Sequence, residues 1–473
     1  MVDPGVFVDR SDELRMLERV WGSGSPGLVV VYGRRRIGKT RLILEWLKDK
    51  PHAYFQAGLW SHQQNLEELA RSLEEQLGLD GFSRLGFRGL RDLLSLAARL
   101  LGGRHVAIVV DEFTYWLRVA PPVVADLQWF VDHVLPSTRL VLVLSGSLVG
   151  IMEREVVGGG APLYGRARVR LRLGELQPWC LPFFAPRYGV EDLVRLYSLF
   201  GGVPYYLRLV DDSAPPLEAY LGLLGPNGVL GDEPLFLLRE EFRDPHPYLS
   251  LLRAIAQGAT SVSEAASKAG MPASHASRYL RVLVDLGLVA RETPLFGRRA
   301  YYRVADRLLH SWFYVAEPLW GKLAENLPGV LEEAGRRAER LAAEAWEQLA
   351  AMHALTVLTH RLGLRPSVAG RLVHRGIEVD YVIIDEESKT LLAVEAKWSR
   401  LSRREAEKTA RETTAKLYAA LPRRYHGYRV QVALYLRSLE APEPQGAIVV
   451  QPGDLPWRTG CPGNQGPAPQ IWP

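Results

Sequence analysis

The chain has 473 residues, 47% of them hydrophobic and 23% charged, the composition of an ordinary globular protein, and at this length about three domains are expected. No apolar run reaches the ~18 residues needed to cross a bilayer, and Met1-Val2-Asp3-Pro4-Gly5 opens no apolar leader, so neither a membrane partner nor a signal peptide is expected. The net charge of +5 is compatible with nucleic acid without demanding it. Cys180 and Cys461 are far apart and form neither a zinc motif nor a disulfide framework, which fits a reducing cytoplasm. The basic residues are 49 Arg against 9 Lys, a bias that fits a GC-rich genome or a heat-adapted lineage; where Lys persists, a compact ammonium is the candidate requirement, as at Lys39 and Lys397.

In chain order, the first strong signal is Gly27-Leu28-Val29-Val30-Val31-Tyr32, apolar enough for a buried strand, leading into Gly33-Arg34-Arg35-Arg36-Ile37-Gly38-Lys39-Thr40. This is GxxxxGK[ST], a phosphate-binding loop, and all eight of its residues, the three arginines included, are expected to face the nucleotide. Its glycines let backbone N–H groups curl around phosphates, Lys39 reaches the β and γ oxygens, and Thr40 offers a hydroxyl to Mg²⁺. Leu42, Ile43, Trp46 and Leu47 follow at helical spacing, so a helix N-terminus adds its dipole to the anion site. ATP with Mg²⁺ is the expected occupant.

Such a loop needs an acidic partner on a neighbouring strand. His105 to Val110 supplies the strand and Asp111-Glu112 its end, with Asp111 expected to hold Mg²⁺ and Glu112 to polarise the attacking water. A third strand, Arg139 to Leu144, ends in Ser145-Gly146-Ser147. Ser147 is the candidate γ-phosphate sensor, with Ser145 the alternative. Arg166, in Pro162-Leu163-Tyr164-Gly165-Arg166, is either an arginine finger reaching a neighbour's nucleotide in a homo-oligomer or an unremarkable surface arginine.

Phe7-Val8-Asp9-Arg10 with Glu13-Leu14, the loop from Tyr32 to Thr40, Asp111-Glu112, Gly146-Ser147 and Pro162 to Arg166 together resemble the archaeal ATPase family, within the AAA+/STAND division of P-loop proteins. Gly201-Gly202-Val203-Pro204-Tyr205-Tyr206-Leu207 resembles the start of its helical lid. The resemblance implies an ATPase domain over 1–175 and a lid over 176–245.

From Pro247 the texture changes to short helices punctuated by glycine. Tyr248 to Gly258, a capping box at Ser261-Val262-Ser263-Glu264, a third helix from Ser274 to Leu286, and strands Leu288 to Thr293 and Ala300 to Arg303 give the order of a winged helix-turn-helix, placed at 246–318. Ser274, His275, Ser277, Arg278 and Arg281 then face outward, and Arg298 and Arg299 sit on the wing, an arrangement suited to DNA or, alternatively, to protein packing.

Gly376 to Ile384 and Leu391 to Trp398 read as two strands around the turn Asp385-Glu386-Glu387-Ser388. Residues two apart share a face, so Glu395 projects with Lys397, and Glu378 with Asp380. Charges on strands this apolar are costly to bury unless a cation or substrate pairs them. Asp380 followed by Glu395-x-Lys397 resembles the PD-(D/E)xK nuclease superfamily, and Gly335-Arg336-Arg337-Ala338-Glu339 resembles its metal-binding helix with Ala338 in place of Phe and Val379 in place of the proline of the PD pair. The resemblance implies a restriction-endonuclease-like α/β domain over 325–440, with Asp380, Glu395 and Glu339 as metal ligands and Lys397 stabilising developing charge. The alternatives are a degenerate copy that only binds DNA and a hairpin with a solvated charged edge. The Pro/Gly-rich tail, 441–473, is expected to be partly disordered.

The fold class expected is therefore multidomain α/β: a P-loop AAA+ core with a helical lid, a winged helix-turn-helix and a nuclease-like domain. The expected function is a cytoplasmic ATPase that couples nucleotide state to DNA binding, with metal-dependent cleavage as an added activity. The competing readings are a regulatory switch that binds ATP and DNA and never cuts, and a STAND-type signalling scaffold that uses its winged helix to hold the lid closed.

Overall fold

The computed structural model describes residues 7–440 and 444–461. Its first sheet holds β1 (Gly27–Tyr32), β2 (His52–Gln56), β3 (Val106–Asp111), β4 (Leu140–Gly146) and β5 (Ala167–Arg172) in the order β2-β3-β4-β1-β5, every neighbouring pair parallel. The three central strands are buried along their whole length, which is why they stand out in the sequence as unbroken apolar runs. The flanking β2 buries only alternate positions and β5 buries only Leu171, so no apolar run announces them.

Three helices, His246–Ala256, Val262–Lys268 and Ala273–Asp285, precede the antiparallel pair β6 (Val289–Glu292) and β7 (Tyr301–Val304), as the sequence leads one to expect of a winged helix-turn-helix. The Ser261 capping box forms: Ser261 Oγ accepts from Glu264 N at 3.2 Å and the Glu264 carboxylate accepts from Ser261 N at 3.3 Å. One continuous apolar core runs from the first sheet through these helices.

The last sheet is mixed. It holds β8 (Val368–His374), β9 (Ile377–Asp385), β10 (Thr390–Leu401), β11 (Arg429–Leu439) and β12 (Ile448–Val450), ordered β12-β11-β10-β9-β8, antiparallel from β8 to β10 and parallel from β10 to β12. Alternation divides its apolar side chains between two layers. Ile383, Leu392 and Val394 pack with Trp346 and Leu349 of the helix Val330–His353, while Val382, Ile384, Leu391 and Ala393 pack with Ala406 and Leu417 of the helix Arg403–Ala420.

One expectation is corrected, and part of the tail carries regular structure. Cys180 and Cys461 are joined in a disulfide across 281 residues of sequence, although nothing in their spacing signals a pair. The tail is not structureless over 444–461: β12 pairs with β11, Trp457 packs edge-on against Trp179, and Arg458 N donates to Trp179 O at 2.7 Å. Residues 441–443 and 462–473, the rest of that tail, lie outside the described residues.

Candidate functional site

The phosphate loop joins β1 to the helix Lys39–Leu47. Gly38 adopts φ 96°, a left-handed conformation that turns its backbone toward the loop interior. A Cβ at Gly33 would lie 2.5 Å from the carbonyl oxygen of Leu173, so only glycine lets the loop pass the end of β5. Lys39 is buried, and its Nζ donates to the carbonyls of Gly33 at 3.0 Å and Arg34 at 3.1 Å, holding the ammonium inside the loop. Burial pushes its pKa down, while Glu112 and Asp111 act in the opposite direction.

Opposite the loop, Thr40 Oγ1 donates to Asp111 Oδ2 at 2.6 Å, and Tyr54 donates to the same oxygen at 2.7 Å. A hydroxyl and a carboxylate facing each other beside a phosphate cradle form a donor set suited to Mg²⁺. Glu112 follows with φ 50°, and Ser147 Oγ donates to its Oε2 at 2.5 Å. Ser145 is buried and its hydroxyl has no hydrogen-bond partner among the described residues, so of the two serines it is Ser147 that reaches Glu112.

A cavity of about 400 Å³ extends from this polar end, where Gly38, Lys39, Thr40 and Glu112 line it, to an apolar end formed by Phe7, Val8, Leu176 and Phe184. Arg10, Arg41 and Arg208 also line it, and sequence reasoning did not nominate them. Arg41 directly follows Thr40 in the chain, whereas only adjacency in the fold brings Arg10 and Arg208 to the cavity.

The three loop arginines behave differently from the expectation that all three face the nucleotide. Arg36 lines the cavity, stacked over Tyr205 at 4.2 Å and paired with Glu233 at 2.8 Å. Arg34 and Arg35 turn away. Arg35 approaches Glu240 at 3.8 Å and lies over the Phe236 ring, whereas Arg34 pairs with Asp306. Glu233 and Glu240 belong to the helix Glu233–Glu241. Asp306 follows the wing and caps the helix Arg307–Ser311, accepting from Leu309 N at 2.7 Å. Glu241, on the same acidic helix end, is pushed up to about 7 by burial, against the charges of Arg34, Arg118 and Lys39. Asp132 grips the guanidinium of Arg166 with two bonds of 2.6 and 2.9 Å, and Arg166 does not line the cavity of its own chain.

In the mixed sheet, Glu395 is buried and meets two ammonium groups, Lys397 Nζ at 2.9 Å and Lys416 Nζ at 3.3 Å. Burial opposes the charge on Lys397 most strongly, but its bond to Glu395 together with the charges of Glu395, Asp380 and Glu347 outweighs that and raises its pKa. Asp380 accepts from Ala396 N at 2.8 Å; burial, then the charge of Glu395, pushes it up to about 6. The third carboxylate of this group is not the expected Glu339. That side chain accepts from Arg195 Nε at 2.6 Å and Trp398 Nε1 at 3.0 Å, tying the helix Val330–His353 to the helix Val190–Phe200. Glu347, eight residues further along the same helix, is the one coupled to Asp380: burial and then the charge of Asp380 push it up to about 7. Glu378 is exposed and paired with Arg371. Among the described residues no three His, Cys, Asp or Glu side chains gather as a metal-binding group, yet Glu395 Oε2 is buried without a hydrogen-bond partner.

Residues 7–210 match a family described as an ATPase domain predominantly from Archaea, 248–293 match the IclR helix-turn-helix domain, and 312–409 match a family of archaeal and bacterial proteins of unknown function. An uncharacterized protein of Methanocaldococcus jannaschii is 28% identical over 414 residues, covering 86% of this chain and 91% of that protein. An uncharacterized ATP-binding protein of the same organism is 49% identical over 45 residues, 10% of this chain and 76% of that protein. A Walker-type ATPase of Pyrococcus abyssi superposes with a TM-score of 0.51 at 20% identity, over 65% of this chain and 96% of that one. The chain thus carries a P-loop ATPase-type core with a parallel sheet, then a helix-turn-helix of DNA-binding type and a separate mixed-sheet domain.

Proposed function

We propose that the chain binds ATP with Mg²⁺, hydrolyses it, and uses nucleotide state to control engagement of DNA by the winged helix. The reading divides the chain into an ATPase domain at 1–175, a lid at 176–245, a winged helix at 246–318 and a mixed-sheet domain at 325–440. The observation that carries the reading is the set of ion pairs leaving the phosphate loop: Arg34 to Asp306 behind the wing, and Arg35 and Arg36 to Glu240 and Glu233. The loop that wraps phosphate is thus tied by Arg34 to the residue behind the wing and by Arg35 and Arg36 to the helix that precedes the winged helix.

In this reading the triphosphate enters the 400 Å³ cavity with its base toward Phe7 and Phe184 and its phosphates at Lys39. Lys39 exchanges its loop carbonyls for phosphate oxygens. Thr40 and Asp111 would hold Mg²⁺, which would supply charge neutralisation at the phosphates. Glu112, aligned by Ser147, accepts the proton of the attacking water. The γ-phosphate brings negative charge next to Glu241, which weakens the contacts of the acidic helix with Arg35 and Arg36, competes with Asp306 for Arg34, and loosens the winged helix. Arg166 keeps a role only across a homo-oligomer interface, where it would first have to leave Asp132.

The mixed-sheet site is read as a binding site that does not cut. A second reading, metal-dependent phosphodiester cleavage, is favoured by the unpartnered Glu395 Oε2, a position suited to a cation held with Asp380. The test is phosphate release with Lys39→Ala and Glu112→Gln, together with DNA affinity measured with and without ATP. Turnover that survives Glu112→Gln, or DNA affinity blind to nucleotide, overturns the main reading. Cleavage of labelled DNA lost in Asp380→Ala and Glu395→Ala decides for the second.

A further inference from the structure

The wing does not stand free. At its tip, Leu295 N donates to the carbonyl of Arg371 at 2.7 Å, at a point where the ladder between β8 and β9 shifts register between Gly370 and Leu372. The wing thus caps an open sheet edge with a main-chain bond. A Cβ at Gly370 would sit 3.2 Å from the Leu295 side chain, so glycine makes room for the docked leucine. The next residue, Phe296, sets its ring 5.6 Å from that of Tyr425, and the Arg424 guanidinium lies over the same Tyr425 ring at 4.7 Å.

This docking brings four exposed arginines together from two domains: Arg298 and Arg299 on the wing, and Arg423 and Arg424 beside Tyr425. Among the described residues none of the four makes an ion pair within 4.0 Å. Unpaired like charges on one surface repel, and a polyanion relieves that repulsion while guanidinium forks suit phosphate oxygens. The exposed Arg278 and Arg281 of the helix Ala273–Asp285 belong to the same winged helix.

We propose that duplex DNA bound by the winged helix continues past the wing onto the mixed-sheet domain, where Arg423 and Arg424 bind its phosphate backbone. The proposal rests on the DNA-binding reading above and extends it to a second domain. Because the wing is bonded into the edge of β8, it moves with that domain, and a duplex lying on Arg298 and Arg299 must also meet Arg424. The footprint is therefore longer than a winged helix alone provides, and the added contacts read phosphate rather than sequence.

The experiment uses the full chain and a series of labelled duplexes of increasing length, with affinity measured by fluorescence anisotropy across a salt series. Arg423→Ala/Arg424→Ala is expected to weaken binding to long duplexes by about fivefold or more and to lower the salt slope by roughly one to two. Arg423→Lys/Arg424→Lys, which keeps the charge, should retain the slope. Arg84→Ala/Arg88→Ala, the same charge change on the ATPase domain, should bind as wild type. Wild-type affinity and slope in the Arg423/Arg424 alanine variant, alongside loss in Arg278→Ala/Arg281→Ala, overturns this inference and leaves the DNA reading standing. Absence of duplex binding by the wild-type chain overturns both.

Discussion

Removal of the Arg34 guanidinium is the most direct probe of the link between phosphate loop and winged helix. Its partner Asp306 is 1% exposed and Arg34 is 20% exposed, so the pair is closed to solvent on one side only. Breaking a fully buried pair costs about 3–5 kcal/mol, and a charged hydrogen bond about 1.5–3, so roughly 2 kcal/mol is expected for this half-open pair. A double-mutant cycle with Arg34→Ala and Asp306→Asn separates that coupling from the lost contact with Glu175 at 3.9 Å. Two kcal/mol is roughly a 30-fold change in an equilibrium. If the pair holds the winged helix in the nucleotide-free arrangement and is given up when DNA engages, its loss shifts that balance by at most the same factor. Nucleotide-free Arg34→Ala should then bind DNA up to roughly 30-fold more tightly, with less further gain from ATP. The assay is anisotropy with and without ATP, paired with urea unfolding for the cycle. A cycle coupling near 2 kcal/mol accompanied by unchanged DNA affinity refutes the reasoning, because the pair would then brace the fold without reporting on the nucleotide.

Lys39→Ala should abolish nucleotide binding in a fluorescent-analogue titration, and Glu112→Gln should bind normally while phosphate release falls by about a hundredfold or more. Glu241 has its pKa raised from 4.5 to about 7, so the folded chain holds a proton that the unfolded chain releases across that window, and stability falls as pH rises from about 4.5 to 7. Glu241→Gln should flatten that part of the stability–pH curve measured by urea unfolding; an unchanged slope would falsify its assignment to this group. Reduction of the Cys180–Cys461 bond, or Cys461→Ser, should lower stability by about 2–4 kcal/mol, and equal unfolding midpoints with and without reductant contradict a stabilising link. Lys397→Arg should weaken whatever anion the mixed sheet binds, since a planar guanidinium cannot take the compact place beside Glu395, and isothermal titration with a short oligonucleotide checks it.

What was legible in the sequence follows from how many constraints each segment carries locally. β1, β3 and β4 are buried on both faces, so apolarity alone marked them, and the loop after β1 is fixed by its own glycines and lysine. The helix-turn-helix was legible because a cap, a turn glycine and helical spacing all act within a few residues. Glu347 was missed because only the approach of its helix to β9 and β10 couples it to Asp380; its neighbours Trp346 and Gln348 form no motif. The positions of Arg34 and Arg35 were missed for a related reason. The loop motif states what its backbone does, while the side chains answer to Glu240 and Asp306, more than 200 residues later. Pairing of Cys180 with Cys461 likewise depends on the last segment folding back against Trp179, which no spacing encodes.

That bond also changes how the chain is connected. Residues 180 to 461 form a closed covalent ring containing the winged helix and the mixed-sheet domain, with the ATPase sheet attached outside it. A protease cut anywhere in the ring opens it without releasing a fragment, so nicked protein should migrate as one species until it is reduced. With the two Cα atoms held 5.0 Å apart, the far end of the mixed-sheet domain is pinned beside Trp179, and any rearrangement that follows ATP has to be a rotation about that pin rather than a separation.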